Sequence, residues 1–140
     1  GLGYTTWSYD RLRAASTHDA HDAHDAHDGH DGGGALAVEV RLRNTGARPG
    51  REVVQVYLAR PDSAVERPVR WLAGFTAVRA EPGETVTASV EVPARMLRHW
   101  DTEVRRWRTE AGDWQVLAGR SAGDLPLRAT VTVRRSSNRP

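Results

Sequence analysis

Residues 51–75 read REVVQVYLARPDSAVERPVRWLAGF, and the pattern of this segment indicates the fold class. Its first part, residues 52–58, is rich in valine and is bounded by turn-forming residues. This pattern predicts a β-strand that is buried on both faces or nearly so. A polar loop follows. Pro68 then fixes its own φ and keeps Arg67 out of the helical region, so the chain is expected to leave the loop in an extended conformation.

The flanking sequence repeats the strand signal. Residues 36–43, 85–92 and 127–133 alternate apolar and polar side chains with period two, which predicts half-buried strands. Shorter strands are predicted over residues 5–13, 75–79, 105–108 and 114–118, and a helical turn over 93–100. Residues 81–84 (EPGE) carry proline second and glycine third, the pattern of a type II turn. About seven short strands with almost no helix predict an antiparallel β-sandwich.

Composition limits the function classes. The chain has 140 residues, 39% of them hydrophobic, which suits one globular domain. It has no cysteine, which excludes disulfides, thiolate catalysis and cysteine zinc sites. All 20 basic residues are arginine, but they are interleaved with 18 acidic residues, so we predict no nucleic-acid partner. No apolar run approaches the roughly 20 residues of a membrane helix, so no membrane partner is predicted.

A low-complexity repeat interrupts the strand pattern. Residues 18–34 read HDAHDAHDAHDGHDGGG, and we predict a disordered loop insert over 15–34 because the repeat offers no apolar face to bury. Histidine and aspartate are ligands for Zn²⁺ and Ni²⁺. We therefore state a weak metal-binding hypothesis, with no other cofactor expected, and a simpler alternative in which the repeat is merely tolerated at the surface. The candidate ligands are His18, His21, His24, His27 and His30.

Several motifs together resemble a known family. Residues 54–57 (VQVY), 67–75 (RPVRWLAGF) and 81–85 (EPGET), with 1–7 (GLGYTTW) and 44–46 (NTG), resemble the C-terminal fibronectin type III-like domain of family 3 glycoside hydrolases. That family includes β-glucosidases and β-xylosidases. The resemblance implies an immunoglobulin-like sandwich and covers residues 1–133, which leaves 134–140 as a polar tail. Because Gly1 lies inside a family motif, we expect the chain to be a segment of a longer polypeptide.

The resemblance also implies a function. In such a protein the two catalytic carboxylates lie upstream of this domain, so we expect no catalytic residue in this chain and a β-glucosidase-like activity in the parent protein. The expected partners are the catalytic domains of the same polypeptide, which this domain would pack against and stabilise. Shaping the active-site rim and forming a homodimer are further roles implied by the resemblance. We select Arg67, Arg70 and Trp71 as interdomain contacts, with Trp71 as the exposed tryptophan.

Two groups of residues bear on other functions. Asp62, Asp101, Asp113 and Asp124 fall in apparent turns, where aspartate bonds its own backbone, so we interpret them as structural. The chain has five tryptophans, and exposed indole rings stack on sugars. A carbohydrate-binding module is therefore the alternative to an accessory domain, and the metal-binding repeat is a third hypothesis.

Overall fold

The structure is a computed structural model that describes residues 5–16, 34–60, 70–103, 105–109 and 111–133. Residues 18–33 of the repeat, the tail and Arg67 lie outside these ranges. The described chain forms nine β-strands and one 3₁₀ helix. In chain order these are β1 (Trp7–Ser16), β2 (Gly34–Asn44), β3 (Gly50–Ala59), β4 (Arg70–Ala80), β5 (Thr85–Pro93), the 3₁₀ helix (Ala94–Leu97), β6 (Arg98–Asp101), β7 (Arg106–Thr109), β8 (Gly112–Gly119) and β9 (Leu127–Val133).

Seven of these strands build two antiparallel sheets. One sheet has the order β1-β2-β5, and the other has the order β4-β3-β8-β9. Strands β6 and β7 pair only with each other as a small hairpin. The prediction of an all-β, fibronectin type III-like sandwich is confirmed. Within the described ranges, no helix is both long enough and apolar enough to cross a lipid bilayer.

The core lies between the two sheets and follows the period-two pattern. Strand β2 contributes four almost completely buried side chains, Leu36, Val38, Val40 and Leu42. The facing sheet supplies alternate residues of β3 and β8, and Trp114 is the largest side chain that is fully buried. Burial of such apolar side chains is the main favourable term in folding.

The structure corrects three local predictions. Strand β3 is buried on one face only, since Val53 is 40% exposed on the other. Residues 93–100 do not form one helical turn, because a four-residue 3₁₀ helix is followed directly by β6. Asp101 ends β6 and Asp113 lies within β8, so neither of these two aspartates is in a turn. The Asp113 carboxylate accepts a hydrogen bond from Thr132 of the neighbouring strand.

Asn44 is the one polar residue that is buried within the described part of the chain. Its Nδ2 donates hydrogen bonds to the carbonyl oxygens of Arg48 (2.8 Å) and Ala80 (3.0 Å). Its Oδ1 accepts hydrogen bonds from the Thr5 hydroxyl (2.8 Å) and the Gly46 amide (2.9 Å). One side chain thereby ties the entry to β1, the turn after β2 and the end of β4 together. Because its donor and acceptor atoms are all hydrogen-bonded, the polar side chain of Asn44 is tolerated in a buried site.

The backbone of Asn44 holds the predicted type II turn against β2. Its amide donates to the carbonyl of Glu84 (3.0 Å), and its carbonyl accepts from the amide of Gly83 (2.7 Å). The turn closes with a hydrogen bond from Glu84 to the carbonyl of Glu81 (2.9 Å). Gly83 has φ of 82°, a left-handed conformation that favours glycine. The type II prediction is therefore confirmed.

Replacing Asn44 with alanine is expected to lower the free energy of unfolding by about 3 kcal/mol or more, because buried donors and acceptors lose their partners. Urea denaturation of the 140-residue chain, followed by tryptophan fluorescence, measures this loss. Thr132→Ala is the control, since it removes an exposed hydrogen bond of 2.7 Å. We expect the control to cost less than about 1 kcal/mol. Similar losses in both variants would contradict the central role of Asn44.

Candidate docking surface

Strand β4 changes its inward face at a β-bulge. Trp71 and Ala73 point into the core before the bulge, and Val78 does so after it. Gly74 and Leu72 pair with consecutive residues of β3, which leaves Ala73 as the extra residue between them. An extra residue in one strand reverses the alternation beyond it. The second half of β4 therefore exposes the side chains that a regular strand would bury.

Apolar side chains on both sides of the bulge are exposed on the outer face of the four-stranded sheet. Phe75 is 67% exposed and Leu72 is 42% exposed, and both belong to the edge strand β4. Val53 on the adjacent strand is 40% exposed and pairs with the exposed Ala77. We call Val53, Leu72, Phe75 and Ala77 the apolar surface. A cluster of this kind on a soluble domain marks an interaction site more often than isolated exposed residues do.

A groove runs beside the apolar surface, between the edge strands of the two sheets. It has a volume of about 410 Å³, and its walls include Leu72, Phe75 and Met96. Gly74 forms part of its floor, where a Cβ atom would lie 2.8 Å from Val90 of β5. Glycine thus permits the close approach of β4 to β5. The groove extends the apolar surface around the side of the sandwich.

The structure places two of the three predicted contact residues at this edge. Arg70 is exposed at the start of β4, on the same outer face as Leu72. Trp71 is half-buried and faces inward, so the expectation that it is the exposed tryptophan is wrong. Its Nε1 donates to the carbonyl of Met96 (3.2 Å). Arg67 lies outside the described residues. The role of all three as interdomain contacts stays a prediction.

An aromatic stack fixes the start of β4. The Trp71 ring meets the buried Trp114 ring edge to face, with centroids 5.8 Å apart. The Arg60 guanidinium lies 5.2 Å from the centroid of Trp114 and donates to the carbonyls of Ala111 and Asp113, each at 2.8 Å. Cation–π and aromatic contacts of this kind stabilise by roughly 1 kcal/mol each. These contacts around Trp114 hold the start of β4, and therefore Leu72, in a defined position.

The apolar surface itself was missed by the sequence analysis. Strict alternation places Phe75 on the inward side with Trp71 and Ala73, and only the bulge reverses it. The glycine at 74, between large side chains, was the available signal, since glycine inside a strand pattern often marks a bulge.

The tryptophans offer no stacking platform in the part of the chain whose side chains are described. Trp114 is fully buried, and Trp71 and Trp7 are half-buried against the core. The Nε1 atom of Trp7 is itself buried and has no hydrogen-bond partner among the described residues. Sugar-binding modules use exposed rings, so these three tryptophans do not favour that alternative.

The metal hypothesis is not tested by the structure. Within the described ranges, no three histidine, aspartate or glutamate side chains converge as metal ligands. The five histidines of the repeat lie outside those ranges, so binding of Zn²⁺ or Ni²⁺ there stays a prediction.

A second polar network joins the two sheets near Asn44. The Tyr9 hydroxyl on β1 donates to the Glu52 carboxylate on β3 (3.0 Å). The same carboxylate accepts from Arg120 through Nε (3.2 Å) and Nη2 (3.0 Å). Burial, and then the negative charge of Glu52, raise the pKa of Tyr9 well above its usual value. Tyr9 and Arg120 border a cavity of about 340 Å³, but both are already bonded to Glu52, so this network is structural.

The raised pKa of Tyr9 predicts a loss of stability at alkaline pH. The stabilising effect is complete below the unfolded-state pKa of about 10 and is lost as pH rises towards the folded-state value. The unfolding free energy should therefore fall above pH 10, by up to about 1.4 kcal/mol per pH unit from this group. Tyr9→Phe should make the decline shallower, although it costs about 1 kcal/mol at pH 8 through the lost hydrogen bond.

Urea denaturation between pH 8 and pH 11 measures this dependence. Tyr57→Phe is the matched control, because it removes a hydroxyl that bonds to the uncharged Gln55. If the unfolding free energy of Tyr9→Phe had the same pH profile as that of the unsubstituted chain, Tyr9 would not be the cause of the alkaline loss of stability.

Comparison with known proteins identifies the domain. Residues 52–122 match the family of fibronectin type III-like domains. The chain belongs to this family. The probable β-glucosidase I of Aspergillus fumigatus is 35% identical over 136 residues, and the match covers 97% of this chain and 15% of that protein. The thermostable β-glucosidase B of Acetivibrio thermocellus is 32% identical over 96 residues, and the match covers 69% of this chain and 13% of that protein.

Solved structures give the same result. The fibronectin type III-like domain superposes on the β-glucosidase DesR of Streptomyces venezuelae, solved with D-glucose, with a TM-score of 0.77 and 35% identity. This match covers 96% of our chain and 16% of DesR. The GH3 β-glucosidase of Bifidobacterium adolescentis gives a TM-score of 0.75 at 29% identity, over 93% of our chain and 17% of that protein. The predicted resemblance to domains of family 3 glycoside hydrolases is confirmed, and the domain spans less than a fifth of these relatives' length.

Proposed function

We propose that this fibronectin type III-like domain is a non-catalytic accessory domain of a β-glycoside hydrolase, and that it packs on the catalytic domains of the same polypeptide through its apolar surface. The observation that carries the proposal is Phe75, 67% exposed beside Leu72 on an edge strand. The relatives are β-glucosidases of which the chain spans 13–15%, so most of their length lies in other regions. Those regions are the nearest candidates to cover the surface.

The free energy available from such packing is substantial. Burying one phenylalanine or leucine side chain fully contributes roughly 1.5–3 kcal/mol. Phe75 is 67% and Leu72 42% exposed in this domain, so their further burial gains roughly half of that amount at each. Such a gain stabilises an interface within one polypeptide, where the partner is tethered and its effective concentration is high. The same surface exposed to water would favour aggregation.

Charged groups at the rim fit the proposal. Arg70 is exposed next to Leu72, and its guanidinium can pair with a carboxylate of the facing domain. Arg67 belongs to the same proposed contact, and Trp71 contributes to it indirectly, by fixing the position of Leu72. The same proposal includes a role in shaping the rim of the active site in the catalytic domains, because a domain that packs near the rim would restrict the movement of the rim.

The test substitutes Phe75 and Leu72 together with aspartate in the longer natural polypeptide that contains this domain. Two buried carboxylates in an apolar interface are strongly unfavourable. We expect faster thermal inactivation of hydrolysis of 4-nitrophenyl β-D-glucoside and a thermal unfolding midpoint lower by several degrees, on the order of 2–8 °C. The same pair of substitutions in the 140-residue chain alone should change its stability little, since both side chains are exposed there.

Thr85→Asp is the control, because it places a carboxylate on the exposed outer face of the other sheet. Equal effects of the control and the double variant would contradict the proposal. A double variant that unfolds as a separate 140-residue chain would show a folding defect instead. Loss of a dimer, with unchanged inactivation of the monomer, would assign the apolar surface to a homodimer.

A further inference from the structure

The outer face of the three-stranded sheet carries a block of arginines. Four arginines on two neighbouring strands are exposed there, Arg11 and Arg13 on β1 and Arg41 and Arg43 on β2. Arg11 lies directly opposite Arg41 across the strands. Like charges in that position destabilise a sheet, so the arrangement costs free energy in the absence of an anion.

The carboxylates nearby do not neutralise this block. Glu39 pairs with Arg13 in the strand register, but no ion pair joins Arg11, Arg13 or Arg41 to a carboxylate of the described residues. A shallow hollow of about 30 Å³ lies among Arg11, Arg13, Arg41, Glu39 and Thr87. That volume admits one or two oxygen atoms, so it fits the end of an anionic group rather than a whole small molecule.

The geometry of the face favours a chain with repeated negative charges. Neighbouring strands are about 4.8 Å apart, and alternate side chains along a strand are about 7 Å apart. The arginines therefore form a regular array, not a single pocket. Their forked guanidinium groups bind carboxylate and phosphate groups with two hydrogen bonds. One small anion would engage only a corner of such an array.

The third strand indicates what else the ligand carries. Strand β5 presents a row of two exposed hydroxyls beside the arginines, from Thr85 opposite Arg43 and Thr87 opposite Arg41. Ser89 and Glu91, further along β5, border the groove between the two sheets. Exposed side chains on β1, β2 and β5 include no aromatic residue in the described ranges. Single-stranded nucleic acid is held largely by stacking on aromatic rings, and this face has none to offer. Arginine together with hydroxyl groups suits a carboxylated sugar polymer.

We propose that this face, made of Arg11, Arg13, Arg41 and Arg43 with the hydroxyl row of β5, binds acidic polysaccharide chains through their carboxylate groups. It lies on the sheet opposite to the apolar surface, so both partners can be bound at the same time. The domain would thereby attach to a carboxylated glycan. This inference does not depend on the proposed function.

The test measures binding of the 140-residue chain to polygalacturonate by isothermal titration calorimetry at about 20 mM and 500 mM salt. We expect binding at low salt that weakens strongly at high salt. The double variant Arg11→Gln/Arg41→Gln should lose about tenfold or more in affinity. It should also fold, because it removes a like-charge pair from the sheet.

The chain offers a matched control. Arg51 and Arg79 also lie directly opposite each other, exposed on the outer face of the four-stranded sheet. Arg51→Gln/Arg79→Gln makes the same change in net charge and should keep the affinity within about twofold of the unsubstituted chain. Equal losses in the two double variants would show a net-charge effect and overturn the proposal.

Two further ligands separate the alternatives. Neutral dextran should not bind, and single-stranded DNA of similar length should bind more weakly than polygalacturonate. Absence of binding to polygalacturonate at low salt would overturn the proposal. Tighter binding of DNA would overturn the assignment to a glycan. Neither result bears on the packing of the apolar surface, so the two proposals fail separately.

Discussion

The bulge at Ala73 is the constraint on which the arrangement of this domain depends. It reverses the alternation of β4, so the first half of the strand buries Trp71 and the second half buries Val78. Both halves thereby contribute to one core. The same reversal turns Phe75 outward, next to Leu72. A single extra residue thus couples the packing of the sandwich to the existence of an exposed apolar surface.

Two hydrogen-bond networks hold the rest of the sandwich in register with β4. Asn44 ties the end of β4 to the turn after β2 and to the entry of β1, while Glu52 joins the two sheets through Tyr9 and Arg120. Both networks lie at the end of the sandwich where β2 ends. The opposite end is organised by apolar and cation–π contacts around Trp114. The two sheets are therefore held together by hydrogen bonds at one end and by apolar and cation–π contacts at the other. The outer faces of both sheets remain available for binding partners.

Local patterns predicted the strands well because the period-two alternation of apolar and polar residues can be read from neighbours in the sequence. The alternating residues of β2, β5 and β9 are inward where period two placed them, and the turn at Gly83 has the conformation that its glycine implies. Burial and exposure that depend on residues distant in the sequence were not predicted. The burial of Asn44 requires groups from three separate segments, and the exposure of Phe75 requires a slip of register against β3. The inward turn of Trp71 follows from the same register.

The most direct test of the account is photo-crosslinking in the longer polypeptide, with p-benzoylphenylalanine in place of Phe75 and, as a reference, in place of Thr87 on the other sheet. Crosslinked peptides are identified by mass spectrometry after proteolysis. If the apolar surface packs on another domain, position 75 crosslinks to that domain of the same polypeptide and position 87 does not. If position 75 gave no crosslink, or no more than position 87, its apolar surroundings would be open to solvent and the accessory-domain packing proposed for this face would be wrong.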